Sequence, residues 1–288
     1  MANPNERQFQ NDIIASLTAN GWLQGTAAQY DRSHALYTPD FLAFVQNAYP
    51  DRWEKFVKSN PTNPEKVLID AYVHAVKRDG VLTVLRKGFK VIGGHLDVCA
   101  FMPDHSMNPD TQRRYQQNRL RVVQEVSYSP HARSDGTNNY DPRIDLVLFV
   151  NGIPTATLEL KSEFKQTIED AKRQYKKDRP VKDPLTKKAE PLLTFKRGAL
   201  VHFAVSQDEV AMTTQLAGKD TYFLPFNMGT TEGGAGNPQA ANDTEYATSY
   251  LWQRLLQPDA WLNVLGRFCI YKSPKKKVLT AKSSAAKR

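Results

Sequence analysis

Three charged residues, Asp145, Glu159 and Lys161, interrupt two otherwise apolar runs in the segment YDPRIDLVLFVNGIPTATLELKS. A charge placed in a core strand is costly unless it is paired or bound to an ion, so three on neighbouring strands demand mutual satisfaction. Two adjacent carboxylates repel, and a hard divalent cation that prefers oxygen, Mg²⁺ or Mn²⁺, relieves the repulsion. Such an ion polarises a phosphate and acidifies a water, while the Lys161 ammonium orients that water or offsets charge developing on the phosphorane. The chemistry these residue types point to is phosphodiester hydrolysis. The bland alternative makes Asp145 a structural partner of Lys161 or Arg143 and turns Glu159 to solvent; a D…ExK spacing alone does not choose between them.

The elements that position the triad sharpen the choice. Asn151-Gly152 between the two runs is a strong hairpin signal. A two-residue loop sends Asp145 and Glu159 to opposite faces of the sheet. A three-residue loop that includes Ile153, or an equivalent bulge, sets Asp145 across from Glu159 with Lys161 on the same face. The catalytic reading requires the second register, and the sequence permits both.

Around this hairpin, helix starts are expected at Asn3-Pro4, Thr38-Pro39 and Asn63-Pro64, giving three helices before residue 80. The first has Glu6 at capping-box spacing from Asn3, buries Phe9, Ile13 and Leu17 on one face and stops at Gly21. Strands are expected at Val81 to Leu85, His95 to Phe101, Arg119 to Tyr128, Ile144 to Val150 and Thr155 to Leu160. A helix from about Thr167 to Lys177 and a strand from Ala199 to Val205 follow, with short helical stretches at Tyr250 to Leu256 and Trp261 to Phe268.

The 288 residues, 40% hydrophobic and 10% aromatic, supply a substantial core. The net charge of +9 is uneven: residues 272–288 hold seven Lys/Arg and no acid, which leaves +2 on residues 1–271. Residues 1–271 are therefore read as the domain and 272–288 as a basic flexible tail or linker. No apolar run is long enough to span a membrane and the N-terminus has no signal core, so the default expectation is a cytoplasmic protein without a membrane partner. Cys99 and Cys269 sit in apolar runs and are expected to be buried thiols; nothing suggests structural zinc, and the six histidines show no metal-ligand pairs. The Gly229 to Gly236 stretch lacks the Gly-Lys-Ser/Thr ending of a phosphate loop and reads as a surface loop. Arg113, Arg114, Arg119, Arg121, Lys165, Lys172 and Arg173 are candidates to track a DNA backbone.

An ordered series of segments resembles a known family: ERQFQNDIIASLTANGW, YDRSHAL, FLAFVQNAYPDRWEKF, RKGF, NPDTQRRYQQNRLRVVQEVSYS, DLVLFVNGIPTATLELKS, VHFAVSQDEVAMTT, TYFLPFNMG, GGAGNP, TSYLW and LGRF. Together they are similar to the N-terminal nuclease region of the R subunit of type I restriction enzymes, a branch of the PD-(D/E)xK superfamily. The resemblance implies an α/β chain of the α+β kind, with a mixed central sheet flanked by helices and an N-terminal helical region. It further implies that Asp145, Glu159 and the Leu160 carbonyl hold Mg²⁺ or Mn²⁺ and that Lys161 is the catalytic lysine.

Two departures stand out. Relatives carry Glu at the position of Gln10, where it can add an outer contact to the metal; Glu6, one turn earlier, either substitutes or caps. The Gln-x-x-x-Tyr element expected after the ExK is irregular, with Gln174 followed directly by Tyr175 and Asp178 at the tyrosine position. Gln174 is carried over as an active-site or DNA contact, Tyr175 equally as contact or core. The resemblance implies double-stranded DNA and the methyltransferase and specificity subunits as partners. ATP would serve only a full-length enzyme, whose motor would begin where this chain stops, so a fragment or truncated gene is expected. The rival expectation is a nuclease-like module that binds DNA or docks subunits and cuts little.

Overall fold

A computed structural model describes residues 4–102, 108–136, 139–162, 167–240 and 245–270. Asn3, His105, Lys165 and the tail at 272–288 lie outside the described residues. The chain opens with α1 (Pro4–Ala19) and β1 (Leu23–Gly25), then a small hairpin of β2 (Tyr30–Asp31) and β3 (Leu36–Tyr37). Helices α2 (Thr38–Ala48), α3 (Pro50–Ser59), α4 (Pro64–Asp79) and α5 (Val81–Lys87) lead to a second small hairpin, β4 (Phe89–Val91) and β5 (Gly94–Leu96). After α6 (Pro109–Gln116) come β6 (Leu120–Ser127), β7 (Arg143–Val150), β8 (Ile153–Leu160), α7 (Ile168–Lys177), β9 (Val201–Val205), β10 (Val210–Thr213) and β11 (Leu224–Pro225). A helical end contains Leu251–Leu255, α8 (Pro258–Asn263) and Val264–Phe268.

Seven strands form one mixed sheet in the order β1-β6-β7-β8-β9-β10-β11, with β1 parallel to β6 and β9 parallel to β8. Helices cover both faces, as the expected α/β architecture requires. On one face Leu146, Leu148, Leu158 and Leu160 pack with Phe9, Ile13 and Leu17 of α1. On the other, Val147 and Phe149 pack with Tyr175 and Leu192. Strands β7 and β8 lie mid-sheet and are apolar on both faces, which makes their few charged positions conspicuous.

Three sequence expectations need correction. Val81 to Leu85 is helix α5, not a strand. Its β-branched residues are bounded by Gly80 at φ 84 and Gly88 at φ 60, and Val81, Leu82, Val84 and Leu85 are all buried; tertiary packing outweighs a weak β preference. Four helices rather than three precede Gly80, because Pro50 starts α3 immediately after α2. The strand expected over His95 to Phe101 is confined to β5. Asn63 caps α4 as expected, its side chain accepting the Lys66 N–H.

Candidate active site

Asn151 and Gly152 form a tight two-residue turn, with φ of 50 and 75 and Val150 paired to Ile153. That register alone would put Asp145 and Glu159 on opposite faces. Between Leu148 and Phe149, however, it shifts: Phe149 pairs with Pro154 while Leu148 pairs with Ala156. Thr155 is the extra residue. From there Leu146 faces Leu158, and continuing the ladder sets Asp145 across from Glu159. The bulge is anchored on both sides. Thr155 Oγ1 donates to the Leu148 carbonyl at 3.2 Å and accepts the Trp261 indole N–H at 3.0 Å, while the Thr155 carbonyl accepts the Leu200 N–H.

At the open end of this hairpin the charged groups converge. Asp145 Oδ2 accepts the Leu160 N–H at 2.7 Å, tying the first carboxylate to the strand that carries the second. Glu159 is fully buried, and Arg179, just beyond α7, clamps it through Nε to Oε1 at 2.6 Å and Nη2 to Oε2 at 3.1 Å. Lys161, 4% exposed, donates from Nζ to Glu6 Oε1 at 2.9 Å. Gln10 is also buried and donates from Nε2 to the Asp145 carbonyl at 2.7 Å. One turn of α1 thus supplies both contacts, as the i, i+4 spacing of Glu6 and Gln10 allows. Glu6 reaches the lysine, and Gln10 braces the backbone of the aspartate strand. Among the described residues Arg143 bridges Asp141 and Lys161 bridges Glu6.

The electrostatics follow from burial. Desolvation pushes the Asp145 carboxyl up to about 6, opposed by the Leu160 N–H, Lys161 and Arg179 and reinforced by Glu6. Desolvation and then the Asp145 charge drive Glu159 well above the ordinary carboxylate range, with Arg179 and Lys161 opposing. Two carboxylates in low dielectric, each resisting ionisation, form an all-oxygen donor pair suited to a hard divalent ion. The Leu160 carbonyl belongs to the same stretch of strand. Among the described residues no cluster of three or more His, Cys, Asp or Glu is available to a metal. Two carboxylates and a backbone oxygen are donors of the kind a hard divalent cation takes, and they would be the protein's share of such a site.

The α7 residues separate in role. Tyr175 is fully buried: its hydroxyl shares a 2.8 Å hydrogen bond with Thr157 Oγ1, which also bonds His202 Nδ1 at 2.7 Å, and burial lowers His202 to about 3. Tyr175 is core. Gln174 is half-buried, and its Oε1 is sealed without a partner among the described residues. Sequence reasoning passed over Arg179. Its only signal was an arginine before Pro180 at the end of the helix that follows the ExK.

The candidate DNA-tracking cations are mostly engaged. Arg113 pairs with Asp110, Arg119 and Arg121 with Asp40, Lys172 with Glu169 and Arg173 with Asp170, while Arg114 stacks over Tyr49. Cys99 is buried and Cys269 half-buried. Among the described residues, no helix is long and apolar enough to cross a membrane.

Residues 81–221, which contain the hairpin and the Arg179 clamp, match the family model for the type I restriction enzyme R protein N terminus. No curated protein matches the chain.

Proposed function

We propose, from the match of residues 81–221 to the family model for the type I restriction enzyme R protein N terminus, that this chain carries a Mg²⁺-dependent endonuclease centre for double-stranded DNA. It would act within a type I restriction and modification assembly that includes methyltransferase and specificity subunits. The observation that carries this reading is the Thr155 bulge, which brings Asp145 and Glu159 to one face.

In this reading Asp145, Glu159 and the Leu160 carbonyl hold the cation. When bound, the ion supplies Lewis-acid polarisation of the phosphate and a more acidic water. Lys161 keeps its ammonium beside the centre, where it orients the attacking water and offsets charge on the phosphorane. Glu6 fixes the lysine, a positioning task performed from α1, and Gln10 holds the Asp145 backbone so that the carboxylates stay in register. Gln174 presents a buried amide oxygen near the end of α7 as a further polar contact.

A second reading has one observation in its favour. Arg179 occupies both oxygens of Glu159, as a retired centre would if it served only to dock DNA or subunits. Lys161→Met and Asp145→Asn separate the two in the assembled enzyme, by Mn²⁺ binding followed with electron paramagnetic resonance and by plasmid nicking. Catalysis requires Lys161→Met to keep Mn²⁺ affinity but lose cleavage by about 100-fold or more, and Asp145→Asn to lose both. Neither Mn²⁺ binding nor nicking by the wild type would leave the docking reading in place, and wild-type cleavage by Lys161→Met would remove Lys161 from the chemistry.

A further inference from the structure

Five charged side chains meet at the open end of the hairpin: Asp145, Glu159 and Glu6 against Lys161 and Arg179. Two of them form a closed pair, since Lys161 has Glu6. Arg179 is the counter-ion left for the carboxylates. Its side chain is 12% exposed and it spans both Glu159 oxygens, so it stands where a divalent ion would draw its strongest negative ligand. A guanidinium and a divalent ion on one buried carboxylate repel in a low dielectric, so both cannot be fully engaged.

There is also somewhere for the guanidinium to go. Tyr128 is fully buried and its hydroxyl has no hydrogen-bond partner among the described residues. Glu190 is equally buried: Oε1 takes the Ser129 and Tyr140 hydroxyls at 3.0 and 2.8 Å, and Oε2 has no partner. Orphaned buried acceptors are rare and need a reason. Both lie on the α7 side of the sheet: Tyr128 packs in the same buried cluster as Tyr175, one turn before Arg179, and its neighbour Ser129 holds Glu190.

Resting on the nuclease reading, we propose that Arg179 is a displaceable stand-in for the catalytic cation: it neutralises Glu159 in the metal-free protein and turns to Tyr128 Oη and Glu190 Oε2 when a divalent ion enters. Arg179 is then a positioning residue that sets metal affinity. It keeps the buried acid pair folded without metal at the cost of weaker metal binding.

The test is Mn²⁺ titration of the full chain without DNA, followed by electron paramagnetic resonance, for the wild type, Arg179→Gln, Arg179→Lys, Tyr128→Phe and the Tyr128→Phe/Arg179→Gln pair. Thermal melts are recorded with and without Mn²⁺. Arg179→Gln removes the competing charge and should tighten Mn²⁺ binding roughly tenfold, with a lower metal-free melting temperature that Mn²⁺ restores. Arg179→Lys cannot span both oxygens and should fall between. Tyr128→Phe removes an acceptor for the released arm, so it should weaken binding about threefold in the wild type and leave it unchanged in the Arg179→Gln background. A structural clamp would give no such coupling. Equal or weaker Mn²⁺ binding by Arg179→Gln, with binding intact in the wild type, overturns this proposal alone. Absence of Mn²⁺ binding in every protein, wild type included, overturns the nuclease centre with it.

Discussion

The β7–β8 hairpin has two ends, and they treat charge in opposite ways. At the turn, Asn151 is fully buried with every side-chain group used: Oδ1 accepts the Arg119 N–H at 2.7 Å, and Nδ2 donates to the Val98 carbonyl and to Asn118 Oδ1. Nearby, Asp40 is outnumbered by cations, receiving the Nε groups of both Arg119 and Arg121. At the open end, acids outnumber cations and two carboxylates resist ionisation. The turn end is built to be complete. The open end stores unfavourable charge that an added cation would relieve, so substitutions of the same kind should act in opposite directions at the two ends.

The largest effect is expected at Gly152→Ala. Gly152 holds φ 75, and an added Cβ would collide with the Tyr37 carbonyl oxygen and crowd the Phe41 backbone. Destabilisation of about 4 kcal/mol or more follows from overpacking on top of left-handed strain, measurable by urea unfolding. Next is Asp40→Ala, which strands two guanidiniums, one of them partly exposed. A loss of about 3 kcal/mol is expected, with the folded fraction retaining its cation affinity.

Asp145→Asn should have the opposite sign. A carboxyl held at about 6 in the fold and near 4 when unfolded binds more protons in the native state. Its penalty is absent below about pH 4, grows as pH rises through 6 and is complete above, reaching about 3 kcal/mol as an upper bound. Asparagine keeps an acceptor for the Leu160 N–H without the charge. Metal-free Asp145→Asn should therefore melt higher than wild type at pH 7.5, and the two should converge near pH 4. A lower melting temperature at pH 7.5 would mean that the open end is a structural ion cluster like the one at Asp40. The smallest effect is at Glu125, which lies across β6 from Asp145 with φ 52. Glu125→Gly should relieve up to about 1 kcal/mol of left-handed strain, offset in part by glycine's entropy.

The contrast between the ends also marks what the sequence could disclose. The hairpin, its Asn-Gly turn and the apolar strands follow from local composition, as do the α1 face and the Asn63 cap. The need for a bulge was legible as a condition, and Pro154 within a central strand was the unused sign that the condition is met, since proline there is confined to edges and bulges. What fixes the bulge, Trp261, lies 106 residues away, beyond any local pattern. Arg179 escaped for the same reason: its role comes from where α7 ends over β8, not from its spacing to Glu159. Val81 to Leu85 misled because β-branching was weighed above the helical spacing of Val81, Val84 and Leu85. The basic residues read as a DNA track are mostly paired with acids, which composition cannot reveal.

The open end of the hairpin is, in this reading, a cation-dependent cutting centre. The most direct measurement is nicking of supercoiled plasmid by the assembled enzyme across a Mg²⁺ titration, with the wild type beside the paired Asp145→Asn/Glu159→Gln variant, both confirmed folded by thermal melts. Cleavage that rises with Mg²⁺ in the wild type, vanishes with a chelator and is absent from the variant is the predicted result. Cleavage by the variant at the wild-type rate would contradict it.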